Sequence, residues 1–88
     1  MNTKYTYLSQ DKHLELSDMG LIATMQYLEF PIVAVNRNPK EHPKVGFVFS
    51  KTPELDNAIS QYWQGLILVD PKNYWSIVRE LKSRIKTS

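Results

Sequence analysis

Twice in its second half the chain sets a capping residue directly before a proline, in "TPEL" at Thr52–Pro53 and in "DPKN" at Asp70–Pro71. A Thr or Asp side-chain oxygen accepts a bond from a first-turn N–H that has no partner within the helix. Proline suits the next position because its φ is preset and no N–H is needed there. Glu54 and Asp56 add negative charge at the positive end of the first of these helices. One helix is therefore expected over "TPELDNAISQYWQG", with Gly65 as its stop and Leu55, Ala58, Ile59 and Tyr62 as its apolar stripe. Another runs from Pro71 to about Lys86.

The remaining elements fit around these two. "SDMGLIATMQYLEF" reads as a helix with Ser17 as N-cap, Asp18 at its positive end and Leu21, Ile22, Met25 and Leu28 inward. Pro31 stops it, and Gly20, costly in a first turn, implies a close approach there. "KYTYLS" at residues 4–9 alternates as a short strand, and "QDKHLEL" follows as a connection. "IVAVN" reads as a strand buried on both faces. "KVGFVFS" sets Val45, Phe47 and Phe49 on one face, and Gly46 leaves room for a neighbour on the other. The loop "RNPKEHP" joins these two strands, and "LILV" crosses the core as a further short strand. The expected class is α+β, in the order β-α-β-β-α-(β)-α: a small antiparallel sheet covered on one face by about three helices.

Eighty-eight residues make a single domain over 1–88. With no cysteine, neither a disulfide nor a thiolate metal site can staple it, so stability must come from one apolar core or from a partner. An apolar fraction of 42% suits a globular chain and argues against disorder. No apolar run approaches a membrane span and the start has no signal-peptide core, so the expectation is a cytoplasmic, soluble protein with no membrane partner. Charge is uneven. Residues 1–35 carry two lysines against four acids, and residues 36–88 carry nine bases against five acids. Positive charge gathers in the C-terminal part, which permits an anionic partner without demanding one.

A longer pattern connects these elements. "KVGFVFSKTPELDNAISQYWQGLILVDPKNYWSIVRELKSRI" has a strand ending in "FVF", then "PEL", an aromatic pair before Gly, "VDP", a second aromatic pair and "LKSRI". With the "SD" start of the first helix and the "NP" before the strand, the chain from about Tyr5 to Ile85 resembles the small prokaryotic and phage domains grouped as domain of unknown function 5659. Glu29 departs from the pattern, since such domains often end the first helix on glycine. The resemblance implies a compact α+β module common in mobile elements. It implies no activity.

No catalytic signature stands out. His13 and His42 have no ligand partner at helical spacing, the serines lack a nucleophile-elbow context, and the three glycines are too scattered to cradle phosphate. Asp70 reads as a cap rather than a catalytic acid. An enzyme is the least expected class, and no cofactor or metal is implied.

The third helix carries the functional question. At about 100° per residue, Tyr74, Ile77, Val78, Leu81 and Ile85 fall in one sector and form a core stripe. Lys72, Trp75, Arg79, Lys82 and Lys86 line up in an adjacent sector of roughly 80°. A tryptophan among four cations suits nucleic acid or a nucleoprotein, with Arg37, Lys40 and Lys44 as an extension if the loop lies near. The same residues also read as a solvated flank whose basic end complements the helix dipole. A protein partner, self or other, is the second expectation, with Trp63 as its contact.

Overall fold

The computed structural model describes residues 12–37 and 45–86. In chain order the elements are β1 (His13–Leu16), α1 (Met19–Tyr27), β2 (Ile32–Asn36), β3 (Gly46–Ser50), α2 (Pro53–Trp63) and α3 (Pro71–Lys86). The strands form one antiparallel sheet in the order β1-β3-β2, and the chain has the expected α+β class.

Two expectations about strands are corrected. Residues 13–16, expected as a connection, pair with β3, Leu14 opposite Phe49 and Leu16 opposite Phe47. The strand expected over residues 4–9 lies outside the described residues. Leu66–Val69 is not a strand: it links α2 to α3 with Leu66 and Leu68 exposed and Ile67 and Val69 half-buried. Four alternating apolar residues show two faces, but not whether a neighbouring strand exists to take their hydrogen bonds.

Burial on both faces belongs to β3, not β2. The middle strand contributes fully buried Phe47, Val48 and Phe49, whereas among the described residues β2 lies at an edge of the sheet with Val33 exposed. A bulge between Ile32 and Ala34 sets the phase of β2. Ile32 opposes Phe49 and Val35 opposes Phe47, so two residues three apart reach the same face. That spacing needs one extra residue in the strand, and Val33 is the one without a partner on β3. On the other face Glu15 opposes Val48, and its carboxylate lies where a side chain at Gly46 would have to be. From there it accepts a bond from Asn36 Nδ2 at 3.2 Å, joining the two edge strands across β3. This is the neighbour for which Gly46 leaves room.

Phe47, Phe49, Leu14, Leu16, Ile32 and Val35 meet the helices in one cluster. The centre of that cluster is α1, whose residues Leu21 to Met25 are all buried. A helix buried all round must be enclosed, and α1 packs against both α2 and α3. Its N-cap is Asp18 rather than Ser17: Asp18 Oδ1 accepts from Leu21 N at 3.0 Å. Leu28, expected on the inward stripe, is the exposed C-cap, because the helix ends one turn earlier than Pro31 requires. The stripes expected for α2 and α3 all join the core cluster.

Candidate nucleic-acid interface

Asp70 builds the start of α3 as expected. Its carboxylate accepts from Asn73 N at 2.9 Å and its carbonyl from Tyr74 N at 2.9 Å. Asp70 N in turn donates to Tyr27 Oη at 3.0 Å, tying this cap to the last residue of α1. At the other end Arg37, just past β2, donates to the carbonyls of Arg84 at 2.8 Å and Ile85 at 3.5 Å. A guanidinium there satisfies carbonyls that the helix leaves open and faces its negative end. The helix is thus fixed at both ends by elements from the first half of the chain.

Val78 and Leu81 are buried in the core, with Tyr74, Ile77 and Ile85 packed against it. This rotation turns Lys72, Trp75, Arg79, Lys82 and Lys86 outward, and all five are exposed. Trp75 keeps 53% of its surface open. Lys82 Nζ lies 5.6 Å from the centroid of the Trp75 ring, within cation–π reach. Helical side chains lean toward the N-terminus, which lets a long lysine two turns on reach back over the indole. Arg37 is near the far end of this line but is engaged in capping α3. Lys40, Lys44 and His42 lie outside the described residues.

Trp63 is not on this line. It closes α2 with 63% of its surface exposed and stands edge-on to Tyr62, ring centroids 4.9 Å apart. Leu66 at 62% and Leu68 at 90% exposure follow in the linker. The expectation that "LILV" crosses the core does not hold for these two leucines, and four consecutive apolar residues give no sign of which pair faces out.

A polar junction that the sequence hinted at only through Gly20 lies where the three helices meet. The carbonyl of Gly20 accepts from Thr24 Oγ1 at 2.7 Å and from Tyr74 Oη at 3.2 Å. A Cβ at Gly20 would stand 2.6 Å from Tyr62 Oη, so this glycine lets α2 approach α1. Burial, then the Asp18 carboxylate, then Tyr74 hold the Tyr62 hydroxyl above its ordinary pKa. Thr24, Tyr62, Gly65, Ile67, Val69 and Tyr74 line an open cavity of about 370 Å³ beside it. Among the described residues no three His, Cys, Asp or Glu side chains gather as metal ligands. None of the helices described is long and apolar enough to cross a membrane.

The sequence profile of a family described as a domain of unknown function, DUF5659, matches residues 11–87. The chain belongs to this family. The match spans every element of the sheet and the helical layer, so the DUF5659 resemblance read from the motifs extends over the whole described fold. Comparison with curated proteins and with solved structures gave no match.

Proposed function

We propose that this chain is a small non-enzymatic binding module that contacts nucleic acid, alone or within a nucleoprotein, through the outward face of α3. One observation carries the reading: four cations and a half-open tryptophan share a single exposed line beside the core stripe. Cations along such a line can displace counterions from a phosphate backbone, which makes binding strong at low salt and weak at high salt. The likeness to phage and prokaryotic domains is the support for an origin in phage or mobile elements.

Replacing Arg79 and Lys82 together with alanine tests this. Both are exposed, so the fold should survive. Affinity for an oligonucleotide should fall, and the slope of log K against log salt should lessen by about 1.4 to 1.8 for the two lost contacts. Absence of any salt-sensitive binding by the unaltered protein at low ionic strength sinks the proposal.

A second reading, self-association, is favoured by Trp63, Leu66 and Leu68, exposed close together in the chain at the end of α2. Sedimentation should then show a dimer that Leu68→Ser dissociates. A strictly monomeric mass at high concentration rules this out.

A further inference from the structure

We propose that the nucleic acid held on α3 is single-stranded and that one of its bases stacks on Trp75. The inference rests on the reading of the basic line given above. It comes from the shape of the charged track and from the ring placed within it.

The track is one cation wide. From Lys72 to Lys86 it rises about 21 Å along the helix while covering roughly 80° of its circumference. One side borders the core stripe, and the other passes through Ser76 and Ser83 to the acidic Glu80. A helix lying in the groove of a duplex has a phosphate backbone on each side. Here the basic line has no second line parallel to it: beyond its free side come small hydroxyls, the Glu80 carboxylate and then the single Arg84. A single backbone following the track meets Lys72, Arg79, Lys82 and Lys86 in turn without crossing Glu80.

Trp75 gives the second argument. Its neighbour Tyr74 is packed against the core and bonded to the Gly20 carbonyl, while the indole itself stands half in water. A duplex keeps the faces of its bases stacked inside and offers an indole little beyond sugars and groove edges. A single strand can splay a base out, and every base has a face on which an aromatic ring can stack. The ring is already positioned by the ammonium of Lys82 at 5.6 Å. A base stacking on that face displaces the ammonium, which then meets the adjoining phosphate. The cation exchanges a ring for an anion, and the ring exchanges a cation for a base.

The test uses the full chain carrying Trp63→Phe, so that Trp75 is the remaining tryptophan. It is titrated at low salt with oligothymidylate of about 12 nucleotides, within the usual range of single-strand site sizes, and with a duplex of the same length. The single strand should quench Trp75 fluorescence and bind about tenfold or more tightly than the duplex. Trp75→Leu, followed through a labelled oligonucleotide, should abolish most of that preference while the far-ultraviolet circular dichroism stays unchanged. Salt-sensitive binding with no single-strand preference, or a preference that survives Trp75→Leu, overturns this inference and leaves the basic surface standing. If neither nucleic acid binds, both readings fall.

Discussion

Glu29 has a φ of 73°, the left-handed region that a residue with a Cβ enters at a cost. It does so to close α1. Its N–H donates to Gln26 O at 2.9 Å and the next N–H, of Phe30, reaches Met25 O at 3.0 Å. The same closure ends α2, where Gly65 at φ 74° donates to Tyr62 O and Leu66 N to Gln61 O, each at 3.0 Å. Both are Schellman endings, one on glycine and one on glutamate. Gln26 Nε2 adds a bond to Phe30 O at 2.8 Å, holding the costlier turn in place. Glu29→Gly should therefore stabilise the fold by about 0.5–1 kcal/mol, the gain being reduced by the freedom glycine has when unfolded. Urea unfolding reads this directly as a higher midpoint with an unchanged slope. Gly65→Glu should lower the midpoint by a comparable amount. No atom lies within 4 Å of a Cβ built there, so its cost is conformational and not steric.

Elements differ in how much of themselves they carry in their own residues. The starts of α2 and α3 were legible to the residue because cap and proline act within one turn: Thr52 Oγ1 accepts from Leu55 N at 3.0 Å, and Asp70 serves Asn73 in the same way. Their apolar stripes were legible because helical spacing fixes a face. The direction of the α3 basic line followed from that geometry. The openness of Trp75 did not, since it depends on which neighbours stop short of it. Strands carry less. The place of β1 is set by pairing with β3, and "HLEL" shows no more alternation than the "KYTYLS" before it. The bulge in β2 takes Ile32 and Val35 out of simple alternation, and the run "IVAV" cannot reveal that it lies at an edge. Partners far apart in sequence were also hidden: nothing near Arg37 indicates that its guanidinium belongs to the end of α3.

At the scale of the whole molecule, the three helices meet at one polar junction, and a group that ionises there is coupled to their packing. Tyr62 reaches it from α2, Tyr74 from α3, and Gly20 and Asp18 from the start of α1. Burial is the first cause that raises the Tyr62 pKa above 10.0, followed by the neighbouring Asp18 carboxylate and Tyr74. The folded state thus keeps its phenolic proton at a pH where the unfolded chain has lost it. Unfolding then releases a proton, and stability must fall with rising pH. The contribution is complete below the unfolded value of 10.0 and is lost as pH climbs from there through the raised folded value. The informative quantity is the difference from Tyr62→Phe, which keeps the ring against Trp63 and removes the ionising group. Stability measured by urea unfolding from about pH 8 to about pH 12 should decline more steeply for the unaltered protein than for the variant. Parallel declines would mean that the hydroxyl is as free to ionise in the fold as in water, and that the junction does not hold its proton.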